Sequence, residues 1–233
     1  MKPVFYSAPI QIPRPYKSAD YEIRSGMQLF IRRAMELWQA AAFIDSTEPG
    51  LLTASDRETA RRRGFAAGRR VLSESLKGKA EIAYFRALTG EGLHADPETI
   101  NAMANRVWLL ENRCGLADSY LRAVSDAALQ KQAACILCPS PLRRDRLEAV
   151  FLPNCRAAFI SMSALEKPND VIGRRVHLDR IPSADRKRAL RDALKENRKW
   201  VEALTQRAAG QLRNAEILRD LKADTCTADN PCL

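Results

Sequence analysis

The feature that most constrains this chain is a series of short apolar segments, separated by helical or polar segments, between residues 79 and 182. Each segment is too short for a core helix and has the composition of a buried strand. Strands joined through helices usually lie parallel in one sheet with helices on its faces. The sequence therefore predicts an α/β domain with a parallel sheet. The predicted strands cover residues 80–88, 107–110, 133–138, 149–152, 157–162 and 176–178.

Helical patterns flank this region on both sides. Apolar residues recur at helical spacing over residues 19–44, and Thr53 or Ser55 is suited to cap a second helix that ends near residue 76. A break that contains Pro and Gly separates the two helices, so a helical hairpin is predicted. A long charged helix is predicted from Ser183 to about residue 222. The expected organisation is a helical hairpin region (1–78), an α/β domain (79–182) and a C-terminal helical region with a polar tail (183–233).

The charge of the chain favours acidic partners. Its 233 residues include 38 Lys and Arg against 28 Asp and Glu, a formal net charge of +10. Such an excess suits the phosphate backbone of a nucleic acid or an acidic protein. A solvated helix face is the alternative interpretation of the basic residues on the second helix. The candidate polyanion-binding residues are Arg61, Arg62, Arg63, Arg69, Arg70, Arg143 and Arg144.

No uncharged segment reaches the ~18 residues that a membrane span needs. The N-terminal segment is rich in proline and lacks the apolar core of a secretory signal. A cytoplasmic protein without a membrane partner is therefore expected, with its six cysteines reduced.

Two of the cysteines form a Cys-x-x-Cys motif inside a predicted strand. Cys135 and Cys138 are three positions apart, and a strand directs residues at that spacing to opposite faces. This geometry is poor for a shared metal ion, so buried core thiols are expected. A zinc site that includes Cys114 or Cys155 is the alternative, and redox chemistry is a third.

Residues 105–134 combine a predicted strand, a loop, a helix and a second strand. In P-loop NTPases such a loop reads G-x-x-x-x-G-K-[ST]: its backbone amides cradle phosphates, its Lys neutralises them and its hydroxyl holds magnesium. The loop here has the same length, but Asn112 and Ala117 replace glycines and Asp118 replaces the Lys. The candidate phosphate-binding residues are Asn112, Arg113, Cys114, Gly115, Leu116, Ala117, Asp118 and Ser119.

With these segments in order, the chain resembles bacterial ATPase-like proteins built from two tandem P-loop lobes, each closed by a helical hairpin. The similar segments are residues 85–92, the strand 106–110, the Cys-Pro-Ser segment from Cys138, the strand 152–161 and the helices of 184–222. The resemblance implies a P-loop NTPase-like fold. It also implies that residues 19–76 correspond to the end of a first lobe and residues 79–182 to a degenerate second lobe.

The departures from this family concern the groups that perform hydrolysis. The family's Walker B strand ends in an Asp that orders magnesium, and Ser161 stands at that position here. Asp118 would repel the phosphates that the missing Lys neutralises, although Arg113 offers a substitute cation. Because phosphoryl transfer depends on positioning and charge stabilisation, an active NTPase is not expected. No catalytic residue and no metal site are predicted, and ATP or GTP with magnesium would bind weakly at most.

Three functions remain open at this point. The first is a non-catalytic or weak nucleotide- or phosphate-binding interaction module. The second is a nucleic-acid-binding or acidic-partner-binding protein. The third is an ATPase completed in trans by a partner P-loop lobe or a second copy of the chain. A plain strand–turn–helix, in which Asp118 and Ser119 simply occupy the first helical turn, is the alternative to a P-loop.

Overall fold

The computed structural model describes residues 3, 5–14, 21–46, 52–72, 77–95, 97–165 and 170–228. Within these residues the chain forms five α-helices and eight strands, besides short 3₁₀ turns. The helices are α1 (Tyr21–Ser46), α2 (Ala54–Val71), α3 (Pro97–Met103), α4 (Ala117–Gln130) and α5 (Ala184–Ala228). The strands are β1 (Ala80–Ile82), β2 (Arg86–Thr89), β3 (Gly92–Ala95), β4 (Arg106–Glu111), β5 (Cys135–Pro139), β6 (Leu147–Leu152), β7 (Ala157–Ser161) and β8 (Arg174–His177).

Six of these strands form one mostly parallel sheet, so the prediction of an α/β fold is confirmed. Their order is β1-β5-β6-β7-β4-β8. Strand β6 is antiparallel to both of its neighbours, whereas the other pairs in the sheet are parallel. The connection from β5 to β6 explains this exception, because it is too short for the crossover of a dozen or more residues that a parallel pair needs.

Two details of the predicted strands are corrected. The segment 80–88 is not one strand: β1 joins the large sheet, while β2 pairs antiparallel with β3 in a separate two-stranded sheet. The segments 107–110, 133–138 and 157–162 do lie in one sheet, but only β4 and β7 are direct neighbours. Strand β6 separates β5 from β7. Periodicity identifies strands and does not specify which strands pair.

Both faces of the sheet are buried against other elements. One face packs on α2 and α4 through Leu110, Tyr120 and Phe159, among others. The opposite face packs on α3 and the segment before β2 through Phe85, Ile100 and Phe151. This two-sided burial accounts for the nearly continuous apolar strands in the sequence.

The predicted helical hairpin does not form among the described residues. Helix α1 packs along α5, whereas α2 packs on α4. Small residues explain the second pairing: a Cβ atom at Gly64 would lie 2.2 Å from the backbone oxygen of Tyr120, so the close approach requires glycine. Trp38 of α1 and Leu212 of α5 share a third apolar cluster with Leu88 of β2.

The start of α2 is capped as the sequence predicts. The Thr53 hydroxyl accepts from the Asp56 amide at 3.2 Å, and the Asp56 carboxylate accepts from the Thr53 amide at 3.0 Å. Arg186, in the first turns of α5, also donates to Asp56. Burial alone raises the pKa of Asp56, but these donors together hold it below its ordinary value. Asp96 precedes Pro97 in the sequence, which predicts that it caps α3, but Asp96 lies outside the described residues.

Cys135 and Cys138 lie on opposite faces of β5, as predicted. Cys135 belongs to the core on the α4 side and Cys138 to the core on the α3 side. Burial raises the pKa of both thiols, so both are held in the neutral form. In the described part of the chain, no helix is long and apolar enough to cross a membrane.

Candidate functional site

The carboxyl ends of β4, β5 and β7 meet at one edge of the sheet, where α/β proteins commonly bind ligands. The loop from β4 to α4 lies at this edge and separates two clefts. The mixed cleft, about 490 Å³, extends from this loop towards α1, β6 and α5. The basic cleft, about 690 Å³, lies between the same loop, the end of β8 and α5.

The loop has an anion-binding conformation, but its amides already bind a carboxylate of the protein. The backbone N–H groups of Arg113 and Cys114 donate to Asp179 Oδ1 at 2.8 and 3.1 Å. Gly115 follows with φ +81°, a left-handed conformation that glycine adopts without strain. Asp179 is 6% exposed, so this internal anion is largely shielded from water.

Two polar side chains of the loop, Asn112 and Asp118, are also bonded within the protein. Asn112 Oδ1 accepts from the Ala117 amide at 2.8 Å. Asp118, at the position where a P-loop carries Lys, accepts from the Leu147 amide at 2.8 Å and from Arg122 at 3.0 Å. Asp118 therefore ties the first turn of α4 to β6. Its position in that turn is favourable for a carboxylate because of the helix dipole.

The other predicted loop residues divide between core and surface. Leu116 and Ala117 are buried in the core and Ser119 is half-buried, while the Arg113 side chain is exposed. The Cys114 thiol is buried, and burial next to Asp179 raises its pKa to about 11. A thiol with this pKa remains protonated near neutral pH and is a poor nucleophile.

The mixed cleft carries more carboxylates than cations. Its lining includes Asp45, Asp118, Glu148 and Glu202 against Arg86, Arg146 and Arg198. Arg86 is committed to Glu148 through bonds of 2.8 and 2.5 Å, and both side chains are at most 15% exposed. Burial raises the pKa of Asp45 despite the nearby Arg146 and Arg143. A polyphosphate would therefore meet several carboxylates here.

Four hydroxyl residues, Ser140, Ser161, Ser163 and Thr205, line the mixed cleft. Ser161, the predicted Walker B position, is 2% exposed and its hydroxyl lies 2.8 Å from that of Ser163. Thr205 of α5 lines the opposite wall. Its hydroxyl is buried and has no hydrogen-bond partner among the described residues. Buried polar groups are nearly always satisfied, so this hydroxyl is suited to bind a ligand.

The basic cleft has the opposite charge balance. Its five cations, Arg113, Arg175, Arg180, Lys187 and Arg198, face two carboxylates, Glu111 and Asp179. Both carboxylates are already engaged, since Asp179 binds the loop amides and Glu111 Oε2 lies 2.6 Å from His177 Nδ1. The bond from His177 holds the pKa of Glu111 below its ordinary value, so Glu111 is ionised. The cleft remains strongly positive.

The two clefts meet at three residues. Asn112, Ser163 and Arg198 line both of them. Arg198 donates to the backbone oxygen of Arg113 at 2.9 Å, which fixes its guanidinium beside the loop. A single ligand can therefore contact the polar and apolar wall of one cleft and the cations of the other.

The predicted polyanion-binding arginines do not form one surface. Arg61, Arg62 and Arg69 line a groove with acidic residues, where Arg61 lies 3.6 Å from Asp126. Arg63 and Arg70 lie about 100° further round the helix than Arg62 and Arg69, and they line a neighbouring groove with Arg174 and Arg175 of β8. Successive residues of a helix point in different directions, so a stripe that is continuous in sequence is divided by the helix.

The two arginines after β5 also differ from each other. Arg143 is bound to Asp145 at 2.6 Å, and it approaches the backbone oxygen of Asp45 at 3.5 Å. Arg144 is exposed. Arg143 is therefore a structural contact between the β5–β6 connection and the end of α1.

Several residues of the site were not found by sequence reasoning. Asp179 and Arg180 lie just after β8, which pairs in parallel with β4. Residues that follow parallel strands lie at the same edge of a sheet, so this position could have indicated that they belong to the site. Lys187, Arg191 and Arg198 recur at i, i+4 and i+11, which places them on one face of α5. No sequence pattern indicates that Thr205 is left without a partner.

Metal binding and known relatives give no further assignment. Within the described ranges, no group of three or more His, Cys, Asp and Glu side chains is arranged to hold a metal ion. Comparison of the chain with models of protein families, with curated proteins and with solved structures finds no match.

Proposed function

We propose that this protein is a degenerate P-loop NTPase-like module that binds the phosphate groups of a nucleotide without hydrolysing them. One observation carries the proposal: the Arg113 and Cys114 amides are bound to Asp179, while five cations line the adjoining basic cleft. The anion-binding role that a P-loop gives to backbone amides is thus transferred to side chains. Guanidinium groups are well suited to this role because they bind phosphate oxygens in a bidentate manner.

Hydrolysis is not part of the proposal because the groups it requires are replaced. Asp118 stands at the Lys position, and a like-charge contact at 4 Å costs about 4 kcal/mol at an effective dielectric constant of 20. Ser161 stands at the position of the magnesium-ordering Asp and is bonded to Ser163. Neither group stabilises the charge of a transferring phosphoryl group.

Different parts of the nucleotide are expected to bind in the two clefts. The phosphates belong in the basic cleft, since the mixed cleft carries an excess of carboxylates. The base and sugar belong in the mixed cleft, which offers apolar side chains and the unpaired Thr205 hydroxyl. The volume of the mixed cleft, about 490 Å³, lies in the range of small-molecule sites.

Calorimetric titration with ATP, GTP and AMP, with magnesium or with EDTA, tests this function. We expect the triphosphates to bind more tightly than AMP, with little dependence on magnesium and no phosphate release above a blank. The Arg180→Ala/Lys187→Ala double variant is expected to weaken ATP binding about tenfold or more. The matched control, Arg62→Ala/Arg69→Ala, removes the same charge from a different surface and is expected to bind ATP as the unmodified protein does.

A second variant examines the mixed cleft. Thr205→Val removes a hydroxyl without a partner, so it is expected to preserve the melting temperature and to weaken binding of the nucleoside part. Equal ATP binding by the cleft variant and its control would overturn the proposal, as would magnesium-dependent phosphate release by the pure protein.

A further inference from the structure

The basic cleft is the middle of a longer positive surface. On one side, Arg175 also lines a groove at the β8 edge that contains Arg63, Arg70 and Arg174. On the other side, Arg113 and Lys187 also line a groove that contains Arg188 and Arg191. The three recesses therefore adjoin one another. The groove of Arg61, Arg62 and Arg69 also adjoins the edge groove, at Ala66, but its lining includes the carboxylates Glu58 and Asp126. We define the basic band as Arg63, Arg70, Arg113, Arg174, Arg175, Arg180, Lys187, Arg188, Arg191 and Arg198.

The band is strongly positive. Ten cations line it, against the two carboxylates Glu111 and Asp179. Glu111 is bound by His177 and lies 3.9 Å from Arg175, and Asp179 is bound by the loop amides. All ten cations are exposed. Within the described ranges, seven of them have no side-chain hydrogen bond or ion pair, namely Arg63, Arg70, Arg113, Arg174, Arg180, Lys187 and Arg188.

We propose that the basic band binds the phosphate backbone of a double-stranded nucleic acid. The inference rests on the proposed function, since the basic cleft is its central part, and it extends the ligand from a single nucleotide to a polymer. Lys187 and Arg198 are eleven positions apart along α5, a distance of about 16 Å along the helix axis. A duplex presents about ten phosphate charges over that length, which matches a row of cations better than a single nucleotide does.

The composition of the band favours nucleic acid over a lipid surface. Nine of its ten cations are arginines, whose planar guanidinium groups match phosphodiester oxygens. Among the described residues, Ile172 and Trp200 are the exposed large apolar side chains within two residues of a cation of the band along the chain, and two such side chains are too few to insert into a bilayer. The only aromatic residues of the edge groove are Trp108, stacked on Phe159 at 4.7 Å, and Tyr120, which is buried. Both are committed to the core, so unpaired bases lack a stacking platform and a duplex is favoured.

Another explanation covers only part of the band. Charged residues on an edge strand prevent it from pairing with a second sheet, and Arg174 and Arg175 of β8 serve that role. The arginines of α2 and the cations of α5 are not on the strand. Binding of a duplex accounts for the position of these α2 and α5 cations beside the arginines of β8.

Fluorescence anisotropy with a labelled 20-base-pair DNA duplex, at a series of salt concentrations, tests the band. The Arg63→Ala/Arg70→Ala variant is compared with Arg62→Ala/Arg69→Ala, which changes the same charge on the same helix. We expect the first variant to bind the duplex about tenfold more weakly at 0.1 M salt. The slope of log K against log salt concentration is expected to be shallower by about 2, whereas the control retains the slope of the unmodified protein.

The outcomes separate this inference from the proposed function. Arg63 and Arg70 lie outside the basic cleft, so their variant is expected to bind ATP normally. If ATP binds and the duplex does not, the nucleic-acid inference fails and the proposed function stands. If the two arginine pairs affect duplex binding equally, or if polyglutamate or vesicles of anionic lipid compete as well as unlabelled duplex, the inference is also overturned. Loss of duplex binding in Arg180→Ala/Lys187→Ala, with the control intact, supports the band as one surface.

Discussion

The mixed cleft and the basic cleft lie on two sides of the same loop and share Asn112, Ser163 and Arg198, yet their charge balance is opposite. The mixed cleft holds four carboxylates and three arginines, and the basic cleft holds five cations and two carboxylates. Both carboxylates of the basic cleft are bound by the protein itself, and in the mixed cleft Asp118 and Glu148 are bound as well. In the basic cleft Arg175 lies 3.9 Å from Glu111 and Arg198 donates to the Arg113 backbone, whereas Arg113, Arg180 and Lys187 have no side-chain hydrogen bond or ion pair among the described residues.

The Asp179 contact shows that the protein itself can supply the anion for a loop with converging amides. The loop amides converge on an anion, and the anion is a side chain. The comparison of the clefts teaches that binding capacity depends on which charges remain unpaired, rather than on the number of charges. Four changes, described from the largest expected effect to the smallest, test this view.

The largest effect is expected in the wall of the mixed cleft. Arg86→Met leaves the buried Glu148 carboxylate without its partner and is expected to lower the free energy of unfolding by about 3–5 kcal/mol. Urea denaturation measures this loss. Arg191→Met, which removes an exposed ion pair with Asp192, is the control and is expected to cost less than about 1 kcal/mol. In Arg86→Met/Glu148→Leu most of the loss is expected to be recovered, and no recovery would contradict the account.

The second change concerns the internal anion of the loop. Asp179→Ala leaves the Arg113 and Cys114 amides without an acceptor and is expected to cost about 2–3 kcal/mol. Sulfate is expected to raise the melting temperature of this variant more than that of the unmodified protein, because the vacated amides then bind an external anion. Asp192→Ala is the control. Equal sulfate responses in both variants would contradict an anion-binding loop.

The third change concerns Asp45, whose ionised form is destabilised by burial. Burial raises the pKa of Asp45, so the folded state is destabilised as pH rises from about 4 through that raised value. Asp45→Asn is therefore expected to stabilise the protein at pH 7 by about 1 kcal/mol, or about 2–4 °C in melting temperature. The gain is expected to shrink as pH falls and to vanish at about pH 2.5, where Asp45 is protonated in both states. A gain that persists at that pH would have another origin.

The fourth change gives the opposite pH dependence in the basic cleft. His177 lowers the pKa of Glu111, so this pair stabilises the folded state above the ordinary pKa of a glutamate, and the contribution is lost as pH falls through the lowered value. Glu111→Gln is expected to cost about 0.5–1 kcal/mol at pH 7, and this cost is expected to shrink as pH falls below the ordinary pKa of a glutamate. Thermal melts across this pH range measure the change, and a cost that does not depend on pH would exclude a charge effect.

Much of the fold was predicted from local patterns in the sequence. The apolar segments became β4, β5, β6 and β7, and the Thr53 cap starts α2. These features depend on a few neighbouring residues. The hairpin of α1 and α2 was predicted wrongly, because helix pairing depends on which faces fit, and Gly64 lets α2 approach α4 instead.

The candidate site was predicted only in part. The loop of residues 112–119 and Ser161 do meet at one edge of the sheet. The sequence, however, predicted that the loop itself binds phosphate, whereas its amides are bound to Asp179. Asp179 lies 65 or more residues away along the chain from the amides it binds. No local pattern encodes a contact over that separation.

The sequence by itself determined most of the helices and strands, because short apolar segments separated by helical or polar segments predict buried strands. It also showed that position 118 carries an Asp, where a P-loop would carry Lys. Only the tertiary structure decided which charges are free. It paired Arg86 with Glu148 and Asp179 with the loop amides, and it aligned Arg63, Arg174 and Lys187 from three elements on one surface. The physical reason is that electrostatic energy depends on distance and burial in space, and neither is a function of position along the chain.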